Sequence, residues 1–346
     1  MRILHVLPHP GGGAETHIDL LERLPGTAHR RVCLSTGRTP LQGALSIPRN
    51  WPAILRAARA ADVVDVHGDL PAMLSVPMLR SGPSLWTTHG LHFSRRSHGP
   101  RGAVVDRWLA AACAAADVTV CTSAAERDEL TARSRPRGRL EVVHNAVDPP
   151  PPVDRDAVRA ELGLADGQVA VLYLGQLEAR KDPLLAVRAA AGVPDTVMLV
   201  AGDGPQRDEL AAAGARMLGF RRDPERLLAG ADVLVMPSRH EGLSFAVLEA
   251  MAAGLPCVVS DGPGNPEAVG DAGIVVPAGD EAALRAALAR LAADPAERAR
   301  LAEAARARAA SEFSVDRFLE RMGAIYAEVA AGSPAAAPAP GPAPSP

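Results

Sequence analysis

No two of the four cysteines in this sequence, Cys33, Cys113, Cys121 and Cys257, form a C-x-x-C pair. That excludes a zinc knuckle or dithiol redox motif and leaves isolated thiols in apolar stretches, as expected of a reducing compartment. No run reaches the roughly 20 apolar residues of a membrane helix without a charge or a proline. The apolar start, Met1 to Leu7, is too short and too soon interrupted by Pro8 for a signal peptide. These absences predict a cytoplasmic protein, at most peripheral to the inner face of a membrane. Charge of one sign is also lacking: 37 Lys and Arg against 40 Asp and Glu leave −3, which gives no electrostatic case for nucleic-acid binding. Aromatics are scarce beside alanine, proline, glycine and arginine, a bias without mechanistic content.

What is present is a repeated alternation of short apolar runs and helical segments. The 346 residues exceed the roughly 250–300 at which single cores stop growing, so two domains are expected. In the first half, strands are predicted over 3–7, 31–35, 63–66, 84–88, 118–122 and 140–143, with helices near 14–23, 51–61, 71–80, 101–116 and 124–132. Pro149 to Pro152 then form a stiff boundary. The same grammar restarts with strands over 169–174, 197–201, 215–218, 233–236, 257–260 and 273–276, and helices near 182–191, 205–213, 222–229 and 245–253. A helical region follows from 280 to about 330, and the Ala/Pro-rich 332–346 reads as a disordered tail. The expected class is α/β, with two Rossmann-like doubly wound parallel-sheet domains facing across a cleft.

The most informative stretch runs from Ala231 to Asp261. A buried strand, a polar turn containing Gly242, a helix from Phe245 to Ala253 with Ser244 as N-cap and Gly254 as stop, and a second strand fill one βαβ unit. Ligands bind at the carboxyl ends of such strands, and the free N–H groups at the helix start suit a phosphate. Glu241 lies in the turn and Glu249 on the helix. Carboxylates would repel a diphosphate but accept well from hydroxyls, each charged hydrogen bond contributing roughly 1.5–3 kcal/mol. A ligand carrying both phosphates and hydroxyls is a nucleotide sugar.

With these residues in their setting, HEGLSFAVLEAMAAGLPCVVSD followed by Gly264-Asn265-Pro266-Glu267, the chain resembles the retaining GT-B glycosyltransferases of family 4. The resemblance implies that Glu249 holds the ribose hydroxyls, that Glu241 contacts the donor sugar, and that Gly242, Leu243, Ser244 and Phe245 form the diphosphate turn. Segment 171–182 resembles the family's strand and loop that bring an arginine and a lysine to the diphosphate. Lys181 matches the lysine, whereas Gln176 stands where arginine is usual and Arg180 is the nearest compensating cation. Gly11-Gly12-Gly13 resembles the glycine loop near the donor phosphate and acceptor. It is not a dinucleotide fingerprint, because Thr16 takes the place of the last glycine, which argues against a dehydrogenase. Trp86 to Gly90 resembles the segment whose histidine, here His89, contacts the sugar at the reaction centre. Gly202-Asp203-Gly204-Pro205 resembles a turn closing on the base, and 143–148 the hinge-side segment.

The domains implied are 1–148 for the acceptor, a linker over 149–154, 155–311 for the nucleotide sugar, and a helix over 312–331 expected to pack back on the first domain. The reaction implied transfers sugar from a UDP- or GDP-linked donor to an acceptor hydroxyl. It proceeds by same-face attack, with His89, Glu241 and Lys181 as catalytic groups. No D-x-D motif stands at a suitable strand end, and His89-x-x-His92 lacks a partner acid or thiol, so neither metal nor cofactor is expected. Two alternatives keep the fold: an epimerase or glycan phosphorylase, and a silent nucleotide-sugar-binding module. The basic group Arg95, Arg96, His98 and Arg101 is either a solvated loop or a contact for an anionic acceptor or membrane.

Overall fold

Residues 1–35 and 40–332 are described by the computed structural model, which contains two six-stranded parallel sheets. The first sheet comprises β1 (Arg2–Leu7), β2 (Ala28–Cys33), β3 (Val63–His67), β4 (Ser84–Thr87), β5 (Val118–Cys121) and β6 (Arg139–Val142), in the order β2-β1-β3-β4-β5-β6. The second comprises β7 (Val169–Leu174), β8 (Thr196–Ala201), β9 (Arg216–Gly219), β10 (Val233–Met236), β11 (Cys257–Ser260) and β12 (Ile274–Val276), in the order β12-β11-β10-β7-β8-β9. β3, β4, β5, β10 and β11 are buried at every residue, which is why they are mainly apolar without a polar outer face; the polar residues they carry, among them Asp65 and His67 of β3, are buried too.

The strand orders locate the binding edges. In the first sheet the chain reverses direction between β1 and β3, and in the second between β7 and β10. At such a reversal the loops leaving adjacent strands run to opposite faces, and a crevice opens at the carboxyl ends.

The described residues separate into two compact units: Met1–His144 with the stretch from Asp316 onward, and Asn145–Val315. The division falls just before the Pro149–Pro152 run, because Asn145 and Val147 belong to the second unit: Val147 N–H donates to the Phe313 carbonyl at 2.9 Å and pairs with Ser314. The helix Val315–Ala330 belongs, from Asp316 onward, to the first unit, where Tyr326 Oη donates to Asp65 Oδ2 at 2.5 Å.

Element edges differ from the sequence reading in explicable ways. β2 begins at Ala28, three residues early, because its exposed edge carries His29, Arg30 and Arg31 instead of an apolar run. The 71–80 helix is two helices, Asp69–Leu74 and Val76–Leu79, broken at Ser75. The helix expected at 51–61 extends back to Pro40 through Pro48 and Pro52, a continuation that proline disfavours. The region after Asp280 forms Glu281–Ala293, Pro295–Glu312 and Val315–Ala330, the first two capped by Asp280 and Asp294. The tail expected to be disordered lies, from residue 333, outside the described residues. No helix among the described residues is long and apolar enough to cross a membrane.

Candidate active site

In the second unit, the loops leaving β7 and β10 meet at the switch point. Met236 ends β10, Ser238 to Ser244 form the turn, and the helix Phe245–Ala253 follows, ended by Gly254 at φ 73°. Lys181, in the β7 loop, donates from Nζ to Oε1 of Glu241 in the β10 loop, with both side chains largely buried. Two further ties fix the loops: Arg239 N–H donates to the Arg180 carbonyl at 2.9 Å, and the Arg239 guanidinium pairs with Asp182 at 2.8 Å. Burial alone would push the Glu241 carboxyl up, but Lys181, Ser238 and Arg180 outweigh it, and the net shift is downward. Glu241 is therefore an ionised acceptor held in place by a cation.

Arg180 donates from Nε to Glu178 at 2.9 Å and from Nη2 to Gln176 Oε1 at 2.7 Å. Its third nitrogen, Nη1, is buried without a hydrogen-bond partner among the described residues. A guanidinium N–H in that state is an unfilled donor. Glu249 is the complementary case. It projects from the second turn of the helix Phe245–Ala253, makes no hydrogen bond or ion pair among the described residues, and is raised to about 7 by burial with a small contribution from Glu225.

Backbone close to this turn is tightly fitted. Gly264 has φ 87°, and a Cβ there would lie 1.5 Å from the Gly242 carbonyl oxygen, so only glycine lets the two loops touch. Gly204 has φ 155° and packs against the backbone of Leu177, whose N–H donates to the Asp203 carbonyl at 3.0 Å. The Gly202–Pro205 turn thus braces the loop that carries Arg180 and Lys181.

In the first unit the corresponding strand ends carry histidines. Gly11 and Gly12, after β1, have φ near 90°, and Gly12 caps the helix Gly13–Leu21. His89, after β4, has φ 57° and is followed by Gly90 at φ 86°, a left-handed pair uncommon for a side-chain-bearing residue and typical of functional sites. His89 Nε2 lies 2.9 Å from His67 Nδ1, His67 Nε2 2.9 Å from His5 Nδ1, and His5 Nε2 2.8 Å from His29 Nδ1. Burial lowers the pKa of His5, His67 and His89 well below the usual histidine value, helped by neighbouring imidazoles, so these rings are neutral. Asp65, at the bottom of the cluster, is pushed by burial up to about 6 against the opposing effect of Tyr326 and other neighbours.

His5, Asp65 and His67 place ligand-type atoms within 4.8 Å of one another. Both nitrogens of His5 and His67 are, however, at hydrogen-bond distance from other imidazoles, and the Asp65 oxygens accept from Tyr326 and from Thr87 at 2.9 Å. The donor set is already committed to hydrogen bonds.

A family model described as Glycosyl transferases group 1 matches residues 154–308, and one described as Glycosyltransferase Family 4 matches residues 10–150. The structure of the Anabaena protein HepE in complex with UDP-glucose superposes with a TM-score of 0.79 at 19% identity, covering 95% of this chain and 100% of that one. The 2-deoxystreptamine glucosyltransferase of Streptomyces kanamyceticus is 30% identical over 327 residues, 82% of this chain and 84% of that enzyme. The chain belongs to the GT-B glycosyltransferases. The glycogen synthase of Mycobacterium tuberculosis is 31% identical over 280 residues, 73% of this glycosyltransferase and 65% of the synthase. The enzyme is a hexosyltransferase (EC 2.4).

Within this glycosyltransferase, Lys181, Arg180 and Glu241 lie together, and Gly242, Leu243 and Ser244 lead into the helix that Phe245 begins. Ser244 occupies the N-cap position, but its side chain makes no capping bond, so the first N–H groups of the helix are left without that cap. Arg95 does not belong to the basic surface: it is buried and pairs with Glu129 at 2.5 Å, while Arg96, His98 and Arg101 are exposed.

Sequence reading missed several supports. Asn145 is buried and donates from Nδ2 to the Leu243 carbonyl at 2.8 Å, holding the turn from below. Its place in the segment resembling the hinge side was the only signal. Glu126 accepts from Thr88 at 2.7 Å and from Thr122, fixing the end of β4 beside His89. Asn265 is fully buried beside Gly264 with neither side-chain atom hydrogen-bonded among the described residues, and it had no recognisable signal beyond the Gly-Asn-Pro-Glu run.

Proposed function

We propose that this glycosyltransferase takes a nucleoside-diphosphate sugar, UDP- or GDP-linked, and transfers the sugar to an acceptor hydroxyl with retention of configuration, as a member of family 4 that needs no metal ion. The observation that carries this reading is the pairing of chemistries at the β7/β10 switch point. Cationic Lys181 and an Arg180 donor unfilled among the described residues stand beside a helix start, while Glu241 and Glu249, the latter without a partner among the described residues, offer carboxylate acceptors. Phosphate needs the first set and hydroxyls need the second. HepE, which shares the fold, is seen with UDP-glucose, in keeping with a nucleotide-sugar donor.

In the proposed reaction Glu249 holds the ribose, Glu241 a hydroxyl of the transferred sugar, and the 242–245 turn the diphosphate. The bond from the anomeric carbon to the diphosphate oxygen breaks as the acceptor oxygen bonds on the same face, and the acceptor proton passes to the departing phosphate. Lys181 and Arg180 stabilise the charge that develops there, which is the role a divalent ion would otherwise have. Gly12, Gly13 and His89 are assigned to the sugar and acceptor on the family resemblance, and Gly204 acts through the loop it braces.

The test is incubation of the purified enzyme with a panel of labelled UDP- and GDP-sugars, with and without cell-extract acceptors, in the presence of a chelator. Transfer without metal, with the anomeric configuration of the donor kept in the product, is expected. Isomerised donor would replace this reading with an epimerase, binding without turnover with a silent module, and rescue by manganese would remove the metal-free scheme.

Acceptor chemistry is addressed by the helix Gly99–Ala115. Val104 is 52% and Trp108 50% exposed on one face of it, next to exposed Arg101 and Arg107. An apolar strip rimmed by arginines suits an anionic membrane surface, so the acceptor we propose is a lipid-borne or cell-envelope hydroxyl. Flotation with vesicles containing phosphatidylglycerol should carry the wild-type protein, and Trp108→Ser with Val104→Ser should reduce the bound fraction several-fold. Equal flotation of the variant, or none by the wild type, would remove the membrane from the scheme.

A further inference from the structure

Four imidazoles and one hydroxyl form a single hydrogen-bonded chain across the first sheet. On β1, His5 is in register with Arg31 of β2 and Asp65 of β3. His29 and His67 lie two residues from those partners, so period-two alternation places His29, His5, Asp65 and His67 on one face. His67 continues to His89, and His29 Nε2 continues to Thr27 Oγ1 at 2.7 Å. The interior rings His5 and His67 are fully buried, and His29 and His89 at the two ends are partly exposed.

The direction of the chain follows from its end. Thr27 has one hydroxyl hydrogen, and it is donated to the Leu24 carbonyl at 2.7 Å. Thr27 Oγ1 can then only accept, so His29 carries its hydrogen on Nε2 and leaves Nδ1 as a lone pair. His5 must donate from Nε2 to that lone pair, His67 from Nε2 to His5 Nδ1, and His89 from Nε2 to His67 Nδ1. Asp65 supports the same order, because its carboxylate lies 3.6 Å from His67 Nε2 and favours the hydrogen there. Each neutral ring has one N–H, so the choice made at Thr27 passes through three rings to the fourth.

We propose that Thr27, His29, His5 and His67 are positioning residues that hold His89 in its Nε2-protonated tautomer, so that Nδ1 presents a hydrogen-bond acceptor to a hydroxyl of the bound sugar. The inference rests on the reading of His89 as a sugar contact. It deepens that reading by giving the contact a polarity: the sugar hydroxyl donates and His89 accepts. The positive φ of His89 and Gly90 fixes the backbone, and the bond from Nε2 to His67 fixes the ring, leaving Nδ1 without a hydrogen-bond partner among the described residues.

The test is long-range 15N–1H correlation spectroscopy of the unliganded full-length protein labelled in histidine, assigned with single His→Gln variants. At pH 7, His5, His29, His67 and His89 are all expected to be neutral with hydrogen on Nε2. A hydrogen on Nδ1 of His67 or His89 overturns the proposal, and so does a stoichiometric metal ion found by elemental analysis with the ring resonances shifted accordingly. His67→Phe removes the acceptor for His89 and should give a mixture of His89 tautomers with at least a tenfold loss of kcat and unchanged UDP affinity. His67→Asn returns an oxygen acceptor near Nδ1 and should restore the single tautomer and part of the turnover. A His89 tautomer unchanged in His67→Phe also overturns it. These spectra need no substrate, whereas full turnover by His89→Gln would overturn the sugar-contact reading instead, so the two failures are distinguishable.

Discussion

Lys181→Met is expected to lower kcat by about 10²- to 10³-fold and to destabilise the fold by about 3–5 kcal/mol. Methionine keeps the length and most of the apolar contact of lysine but removes the charge. Two consequences follow from one change. The departing diphosphate loses the cation proposed to stabilise it, and Glu241, 5% exposed, loses the charge that holds its pKa down against burial. An unpaired buried carboxylate must then protonate or draw in water, and either outcome loosens the ties between the β7 and β10 loops. The double variant Lys181→Met with Glu241→Gln separates the two effects. It has no buried charge to strand, so thermal or urea unfolding should show most of the lost stability returned while turnover stays low. Activity returning with stability in the double variant would mean that the pair is structural and that Lys181 does not assist the leaving group.

The contrast between Lys181–Glu241 and the histidine chain shows what a one-dimensional reading reaches. The unit from β10 through the helix Phe245–Ala253 to β11 was legible because each step has a local cause: a fully buried strand gives an apolar run, Gly254 gives the left-handed stop, and Pro256 blocks continuation. The two six-stranded parallel sheets were legible for the same reason, from alternation of strands with helices. Lys181 and Glu241 were each visible as charged residues after a strand, but their ion pair spans 60 residues and depends on β7 and β10 being neighbours. Strand order supplies that adjacency, and nothing in the local pattern does.

His5, His29 and His67 were less legible still. Each sits singly within a strand that reads as apolar or mixed, and a lone histidine in a strand has no local signature. They become a group because β2, β1, β3 and β4 are adjacent in the sheet and the diagonal across them matches the span of an imidazole hydrogen bond. Tyr326 is further away: it reaches Asp65 from a helix near the end of the described chain, 261 residues on. Its hydroxyl is a hydrogen-bond donor to a carboxylate that burial pushes up to about 6, so the last helix contributes polar satisfaction as well as apolar cover. Asn145 follows the same logic in the second unit, since the carbonyl it holds belongs to Leu243, 98 residues away.

Glu249→Gln should make the unliganded enzyme more stable above neutral pH and a much weaker binder of its donor. Burial raises the Glu249 carboxyl from 4.5 to about 7, so the folded state binds more protons at this site than the unfolded state between those values. Stability therefore falls as pH rises from about 4.5 to 7 and stays reduced above, by an amount near 3 kcal/mol at 1.36 kcal/mol per pKa unit. Glutamine is isosteric and carries no charge to desolvate, so at pH 8 the variant should unfold at a temperature several degrees above the wild type, and at pH 4 the difference should vanish. Binding should move the other way. Ribose hydroxyls donate best to an ionised carboxylate, each such bond contributing roughly 1.5–3 kcal/mol, so the loss in donor affinity should be about 10²-fold or more at pH 8. Titration calorimetry with UDP-glucose or GDP-mannose, whichever the donor panel selects, avoids a phosphate that titrates in this range. Wild-type affinity should weaken toward tenfold per pH unit below about 7, and the dependence should disappear in Glu249→Gln. A variant that binds as tightly as the wild type would remove Glu249 from the ribose. A variant no more stable at pH 8 would mean that solvent or an unseen donor already satisfies the carboxylate. The combination expected here, stability gained and affinity lost, is the behaviour of a half-buried acid with no partner among the described residues until the donor supplies one.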